Sequence, residues 1–264
     1  MKAESPTNII LIGAGNVATS FGLALYKEGY LISQVYSLTK KSAEILAKKI
    51  NAKAITDLKK LDTNATIYII AVKDDAIEKV AKKLHLKNKI VVHTSGSVSL
   101  NALKNVSENY GVFYPLQTFS KERKIDFKNV PICIEANNKT TSITLNYFAK
   151  SISNNVQNIN SEQRKAIHLA AVFACNFSNY LYVIAESILK KNKLSLNLLK
   201  PLIEETANKI KNNSPSEMQT GPAIRGDKKT MKAHFKLLSD NKDYKQLYAL
   251  LSKSIIDSSK KKKK

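Results

Sequence analysis

The 264-residue chain carries 43 Lys and Arg residues against 21 Asp and Glu residues, a formal net charge of +22 at pH 7. All of the basic residues are Lys except Arg123, Arg164 and Arg225. Nucleic-acid sites favour clustered Arg together with aromatic residues, so the composition argues against a nucleic-acid partner. The excess of Lys predicts solvated lysine-rich faces and a disordered basic tail over residues 257–264.

The apolar segments and the cysteines predict a two-domain cytoplasmic protein. At this length two domains can each bury a core. Polar residues, among them His168 and Asn176, interrupt the longest apolar stretch, residues 166–185. We therefore expect a buried helix there, no membrane span and no leader. Cys133 and Cys175 lie in apolar segments without a C-x-x-C motif, which predicts packed thiols in a reducing compartment.

Residues 9–12 form an apolar run that ends in a glycine-rich turn. Such a run predicts a strand covered on both faces. Gly13, Gly15 and Ala18 then fit the dinucleotide pattern G-x-G-x-x-G/A. In this pattern Gly13 makes the tight turn and Gly15 lets the backbone approach a pyrophosphate at the helix N-terminus. A plain strand–helix turn is the alternative, and the second strand at the expected distance favours the dinucleotide site.

The end of the second predicted strand, residues 31–36, indicates which nucleotide would bind. A site for NAD usually has Asp or Glu there, which binds the ribose 2′-hydroxyl. This chain has hydroxyls and cations instead, which suit a 2′-phosphate: Ser37, Thr39, Lys40 and Lys41. The pattern predicts NADP, although two more lysines in a lysine-rich chain are the alternative reading.

The segments that follow alternate between strands and helices, which predicts a doubly wound parallel sheet over residues 1–160. We expect Asp74 or Asp75 to cap the third helix. Val72 and the turn over residues 94–97 follow neighbouring strands, at the sheet edge where such folds bind ligands. Further strands are predicted at residues 54–55, 66–72, 89–93, 112–114, 131–135 and near 156, and helices at residues 42–50, 76–84 and 140–151.

From Ser161 onward the pattern predicts helices only, and residues 161–256 are expected to form an all-α domain. Ser161 is expected to cap a helix that runs to about residue 190 and is apolar almost all round, so other protein should surround it. Further helices are expected over residues 196–211, after the capping-box sequence at residues 214–217, after Asp227 and over residues 243–256. A helical domain this apolar predicts a homodimer.

A few polar residues are candidates for chemistry. His168 and Asn176 lie within the long apolar helix, where an unpaired polar group costs about 1–3 kcal/mol, so they should have partners or a ligand. A histidine satisfied by a neighbouring carbonyl is the alternative for His168. Arg225 stands between two glycines, where it could bind an anion or pair with Asp227. The spacing of His, Cys and acidic residues matches no zinc motif and predicts no metal site.

Five stretches together resemble a known family: GAGNVA, VVHTSGS, YPLQTF, HLAAVFACNFSNYL and TGPAIRGD. The chain resembles bacterial Rossmann-like proteins with a C-terminal domain of unknown function, which are described as NADP oxidoreductases. These are similar in plan to pyrroline-5-carboxylate reductase, deazaflavin-dependent NADP oxidoreductase and the β-hydroxyacid dehydrogenases. The resemblance spans nearly the whole chain and implies a Rossmann domain followed by a helical domain.

The resemblance also implies roles for individual residues. Ser95 and Gly96 would lie beside the nicotinamide, and Asn176 matches the Asn of the K-x-x-x-N motif of β-hydroxyacid dehydrogenases. Val172 stands where that motif has Lys, which leaves His168 as the substitute acid. The resemblance assigns Gly13, Gly15, Asn16 and Val17 to the pyrophosphate, Ser37, Thr39 and Lys40 to the 2′-phosphate, and Val72 to the cofactor's border. To these we add Lys41 at the 2′-phosphate, and we expect Gly96, Gln117 and Arg225 to bind the substrate.

The sequence therefore predicts an NADPH-dependent oxidoreductase that reduces a C=O or C=N group of a small, anionic metabolite. In this hypothesis His168 donates the proton, Asn176 and Ser95 orient the substrate, and Arg225 binds a substrate carboxylate. The alternative is a non-catalytic NADP-binding or sensing protein on the same scaffold. Nucleic-acid binding, carried by the basic tail, is a third and weaker hypothesis.

Overall fold

The computed structural model describes residues 7–120 and 123–261. The chain divides into two compact units that meet between Cys175 and Asn176. The boundary predicted after residue 160 thus lies earlier than the observed one. The first turns of the long helix belong to the first unit because Arg164 is fully buried there. Residues 262–264 of the predicted tail lie outside the described residues.

The described residues of the first unit form an eight-stranded sheet in the order β3-β2-β1-β4-β5-β6-β7-β8. All neighbouring strands are parallel except β6 and β7, which are antiparallel. The order of the first six strands is that of a doubly wound Rossmann sheet, so the predicted fold is confirmed. The strands are β1 (Asn8–Ile12), β2 (Leu31–Tyr36), β3 (Lys53–Ile55), β4 (Ile67–Ile70), β5 (Ile90–His93), β6 (Asn109–Pro115), β7 (Ile132–Ala136) and β8 (Val156–Asn158).

The apolar run of β1 is shared between two cores, one on each face of the sheet. Ile9 and Leu11 pack with Phe21 of the first helix on one face, whereas Ile10 and Ile12 belong to the cluster on the other face. All four strand residues are fully buried. A run of consecutive apolar residues is required because successive side chains point to opposite, covered faces.

Helices cover both faces of this sheet. Lys73 is the N-cap of α3, and the predicted caps Asp74 and Asp75 lie in its first turn, where their charges favour the helix dipole. Asn160, not Ser161, caps α5, because Asn160 and Gln163 form a reciprocal capping box. The helices described here are α1 (Asn16–Lys27), α2 (Lys40–Lys49), α3 (Asp74–Ala81), α4 (Lys139–Ile152) and α5 (Ser161–Ala171), with short 3₁₀ turns at Leu58–Lys60, Leu100–Leu103 and Phe127–Asn129.

The second unit is helical, as predicted, with different boundaries. Pro201 lies in the first turn of α7, where its missing N–H is harmless, and Asp227 caps α9 as expected. The capping-box sequence at residues 214–217 forms only a turn, and the next helix begins at Pro222. Its helices are α6 (Ser178–Lys191), α7 (Lys200–Lys209), α8 (Pro222–Arg225), α9 (Lys228–Leu237) and α10 (Lys242–Lys261), with a 3₁₀ turn at Leu196–Leu199. Because α10 reaches Lys261, residues 257–261 of the predicted tail are helical.

The long apolar helix is interrupted and exposed, which corrects two expectations. A six-residue π-helical segment, Val172–Phe177, lies between α5 and α6 and changes the phase of the helix. Leu169 and Tyr180 are 60% and 54% exposed, and Cys175 is exposed whereas Cys133 is buried. By length and composition alone, the run from Ser161 to Lys191 is long and apolar enough to cross a membrane, a test that core helices also pass, so it does not overturn the expectation of no membrane span.

Candidate active site at the carboxyl edge of the sheet

The turn between β1 and α1 has the shape that a dinucleotide site requires. Gly13 has a φ of 131°, and a Cβ there would lie 2.2 Å from the backbone oxygen of Ala71, so only glycine fits. Gly15 differs, because a Cβ on it would meet no atom within 4 Å. Nothing in the first unit's own packing thus explains Gly15, and the open space beside its backbone is where a pyrophosphate would lie.

The N-terminus of α1 is prepared for an anion. Gly15 is its N-cap without a side-chain hydrogen bond, and its first turn contains no acidic residue. The Asn16 side chain instead donates to the Phe119 carbonyl (3.0 Å), which ties the segment after β6 to the turn. Asn16 and half-buried Val17 therefore offer backbone N–H groups, and the predicted pyrophosphate residues fit such a ligand.

The residues predicted to bind the 2′-phosphate lie together after β2. Thr39 is the N-cap of α2 and donates its hydroxyl hydrogen to Ser42 (2.8 Å). Lys40 and Lys41 are exposed in the first turn of α2, which contains no acidic residue. Lys40 has an ion pair with Glu44 at 3.8 Å, but both side chains are more than half exposed, so the pair holds the lysine weakly. These groups fit a phosphate well.

The turn after β5 is held by its own side chains. The Ser95 hydroxyl oxygen accepts from the backbone N–H groups of Ser97 (3.1 Å) and Val98 (3.0 Å). The Ser97 hydroxyl donates to the Asp74 carboxylate at 2.5 Å. Ser95 and Gly96 are both buried. The structure thus places the hydroxyl of Ser95, which was predicted to orient the substrate, inside the turn that it stabilises.

His93, the last residue of β5, also stabilises the turn that follows this strand. It is fully buried, its Nδ1 accepts from the Ser95 N–H (3.2 Å), and its Nε2 lies 3.3 Å from the Ser99 carbonyl. These partners assign the neutral tautomer that is protonated on Nε2. Burial first, and then the charge of Arg164, lower the pKa of His93 to about 4. His93 is therefore neutral at physiological pH and acts as a structural support.

Arg164 is a residue that the sequence did not reveal as part of the site. Its fully buried guanidinium pairs with Glu135 of β7 (2.9 Å) and donates to the carbonyls of Ser95 (3.2 Å) and Val98 (2.8 Å). Its charge is thus compensated within the protein, and α5 is fixed to the turn after β5. Arginine is rare in this chain, and Arg164 is one of only three; this rarity is the signal that could have drawn attention to it.

His168 lies four residues after Arg164 on α5, next to Gly96 in the turn after β5. The hydroxyl of Tyr114 lies 3.1 Å from Nδ1 of His168, and the two rings meet edge to face with centroids 6.0 Å apart. Both rings close over Gly96, because a Cβ there would lie 2.7 Å from His168 Nδ1 and 2.8 Å from Tyr114 Cζ. His168 therefore has a tyrosine partner, not the carbonyl partner that was the alternative.

These features share one edge of the sheet. The glycine turn follows β1, Val72 follows β4, and the turn with Gly96 follows β5; β1, β4 and β5 are consecutive neighbours. Neighbouring strands lie about 4.8 Å apart, so the turn with Gly96 is roughly 10 Å from the pyrophosphate turn. The nicotinamide half of an extended dinucleotide can span this distance. The arrangement therefore brings together the predicted cofactor residues, Gly96 and His168.

Other predicted site residues are not joined to this group. The Gln117 side-chain oxygen accepts from its neighbour Thr118 (2.8 Å) and is used in its own turn. Asn176 belongs to the second unit and is exposed, contrary to the expected burial. Arg225 is also exposed there. Asp227 caps α9 through Thr230, and no ion pair within 4 Å joins it to Arg225 among the described residues, but the hydrogen bonds from Thr230 first, and then the charge of Arg225, lower the pKa of Asp227. The roles assigned to these three residues stay predictions.

A Rossmann sheet with a glycine turn that offers backbone N–H groups, and with a Tyr–His pair about two strands from that turn, defines a class of dinucleotide-dependent enzymes. Residues 8–96 match the family described as NADP oxidoreductase coenzyme F420-dependent. Residues 130–255 match a domain family of unknown function, DUF2520. No curated protein matches the chain.

Solved structures identify the family. The chain is 44% identical to a "putative NADP oxidoreductase" from Bacteroides fragilis, with a TM-score of 0.91 over 96% of this chain and 98% of that one. An imine reductase from Myxococcus stipitatus in complex with NADP⁺ (14% identity, TM-score 0.66, 96% and 94% covered) and a pyrroline-5-carboxylate reductase from Coxiella burnetii (18%, 0.56, 97% and 98%) share the fold. The chain belongs to the same family of NADP oxidoreductases as the Bacteroides protein, and NADP is the cofactor of that family. The predicted resemblance is confirmed.

Proposed function

We propose that the protein reduces a C=O or C=N group of a small anionic metabolite with NADPH. The observation that carries this proposal is the Tyr114–His168 pair, held over Gly96 about two strands from the glycine turn. A group that can donate a proton is thus close to the nicotinamide end of the cofactor site. Two neighbours in fold, the imine reductase and the pyrroline-5-carboxylate reductase, act by their names on C=N substrates.

Bound NADPH supplies the hydride, and this chain's own residues supply binding and a proton. The amides of α1 and the side chains after β2 hold the nucleotide. His168 protonates the oxygen or nitrogen of the substrate as the adjacent carbon gains hydride, which avoids an anionic product. Arg225 and Asn176 are proposed to bind and orient the substrate, and the exposed Arg225 guanidinium is the reason for expecting an anion.

The lysines after β2 provide the first test of this proposal. Changing both Lys40 and Lys41 to Ala should weaken NADPH binding about tenfold or more and leave NADH binding nearly unchanged, because only NADPH carries a 2′-phosphate. Isothermal titration calorimetry of the full chain with each nucleotide measures both affinities. The matched control is Lys48→Ala with Lys49→Ala, which removes the same charge from the exposed last turn of the same helix.

Two results would contradict the proposal. If neither nucleotide binds the unmodified chain, the reductase and the NADP-sensing alternative both fail. If the control pair weakens NADPH as much as the Lys40 and Lys41 pair, only the general positive charge attracts the nucleotide, and the assignment of the 2′-phosphate site is wrong.

We also propose that the protein is a homodimer in the cytoplasm, where NADPH is available and thiols stay reduced. Among the described residues of the second unit, Ala223 alone is buried. Large apolar side chains of this unit are exposed, such as Leu202 (60%) and Leu250 (62%). A soluble chain rarely leaves so much apolar surface in water, and a second copy offers a matching apolar surface.

Sedimentation equilibrium tests the dimer. The unmodified protein should show twice the mass of one chain, and Leu202→Lys combined with Leu250→Lys should move the population toward the monomer. Tyr147→Lys is the control, since Tyr147 is 80% exposed on α4 of the first unit. A monomeric unmodified protein at micromolar concentration would contradict this proposal.

A further inference from the structure

The hydrogen bond between Tyr114 and His168 occupies one particular ring nitrogen. Tyr114 lies near the end of β6, and its hydroxyl is 3.1 Å from Nδ1 of His168. Nε2 of His168 makes no hydrogen bond to any of the residues that the structure describes, 7–120 and 123–261. The two nitrogens therefore differ: Nδ1 is held by Tyr114, and Nε2 is left without a hydrogen-bond partner among the described residues.

Two further features of the structure place the His168 ring next to Tyr114. Gly96 leaves the room in which both rings meet, because a side chain there would contact His168 Nδ1 and Tyr114 Cζ at under 3 Å. Arg164 precedes His168 by four residues, so both lie on the same face of α5. Since Arg164 bonds to the carbonyls of Ser95 and Val98, this face is fixed to the turn that contains Gly96.

We propose that Tyr114 is a positioning residue which holds His168 by Nδ1, so that Nε2 is the atom that passes the proton to the substrate. This inference rests on the reductase function proposed above and adds the identity of the proton-donating atom. Neither the resemblance nor the sequence pattern assigned any role to Tyr114.

A phenol suits this task because it can both donate and accept a hydrogen bond. When the imidazole is cationic, Nδ1–H donates to the Tyr114 oxygen; when the ring is neutral, the hydroxyl can turn and donate to Nδ1. Burial raises the pKa of Tyr114 to about 12, so the phenol keeps its proton. Unlike a carboxylate, the neutral phenol leaves the imidazole free to lose its proton after each transfer.

The proton transfer balances with the hydride. As the carbon of C=O or C=N gains hydride, the imidazolium breaks its Nε2–H bond and a new O–H or N–H bond forms on the substrate. The ring is left neutral with Nδ1–H donating to Tyr114, and it regains a proton from water. The products are an alcohol or an amine and the oxidised nucleotide.

Nitrogen-15 NMR of the full-length protein, labelled at histidine, tests the inference without nucleotide or substrate. At a pH where the ring is neutral, Tyr114→Phe should move the Nδ1 resonance of His168; if the tautomer ratio changes as well, the Nε2 resonance moves in the opposite direction. His168→Asn identifies the signals by removing them. The control is Tyr110→Phe, which removes another half-buried phenol from the same strand and should shift neither resonance.

An unchanged Nδ1 resonance in Tyr114→Phe, or a shift confined to Nε2, would overturn the inference. With a substrate, Tyr114→Phe should lower kcat about tenfold with the KM for NADPH unchanged, and His168→Asn should lower it about 100-fold or more. An unchanged kcat in Tyr114→Phe would also overturn it. Failure of the reductase function itself is seen separately, as absent NADPH binding in the calorimetric titration.

Discussion

Replacing Arg164 with Met is expected to lower the free energy of unfolding of the first unit by about 3–5 kcal/mol. The guanidinium is fully buried and pairs with Glu135, whose side chain is only 13% exposed. Met fills a similar volume but leaves that carboxylate without its charge partner and two carbonyls without their donor. Urea unfolding followed by circular dichroism measures the loss.

Two controls separate this cause from a general effect of removing charge. Lys165→Met breaks the neighbouring ion pair with Glu162. The Lys165 side chain is 50% exposed and that of Glu162 is 82% exposed, so the free energy of unfolding should fall by less than about 1 kcal/mol. Adding Glu135→Gln to Arg164→Met should recover part of the stability, because the uncompensated carboxylate is then removed. A cost for Arg164→Met as small as that of Lys165→Met would contradict the importance of this ion pair.

The two glycines of the nucleotide turn should give opposite results when each is changed to Ala. Gly13→Ala should destabilise the fold by about 3 kcal/mol or more, since its φ of 131° is strained for Ala and the new methyl would lie 2.2 Å from the Ala71 oxygen. Gly15→Ala should change stability by less than about 0.5 kcal/mol, because φ is −78° and no atom lies within 4 Å.

Nucleotide binding, unlike stability, should be sensitive to the change at Gly15. Gly15→Ala places a methyl group where the pyrophosphate would approach the backbone, and we expect NADPH affinity to fall about tenfold or more in a protein that is fully folded. Thermal unfolding and calorimetric titration of the same sample measure both effects. Full NADPH affinity in Gly15→Ala would show that the nucleotide does not approach this backbone.

The sequence predicted those parts of the site that depend on a few consecutive residues. Gly13 and Gly15 could be identified because tight turns and close ligand approach exclude a Cβ. Lys40 and Lys41 were predicted because the end of β2 directly precedes the helix that carries them, and their role at the 2′-phosphate stays a prediction. The strands of the sheet followed from apolar runs such as residues 9–12, which pack against both cores.

The sequence failed where the decisive contact joins distant segments. Tyr114 and Arg164 acquire their importance from His168, Glu135 and the turn after β5, which are far from them in the chain. The π-helical segment at Val172–Phe177 was missed as well, since the residues fit an uninterrupted helix. The expected burial of the long helix was wrong for this chain, since Leu169 and Tyr180 are more than half exposed and an apolar pattern does not by itself say what covers a helix.

The sequence by itself therefore determined the Rossmann fold and the glycine turn after β1, because strand periodicity and glycine conformation are local properties of the backbone. Only the tertiary structure decided which polar groups meet at Gly96. The contact of these groups depends on the packing of α5 against the sheet, which brings the buried guanidinium of Arg164 to its carboxylate and carbonyl partners. The physical reason is that pairing of buried charges is set by three-dimensional proximity, which local sequence patterns do not encode.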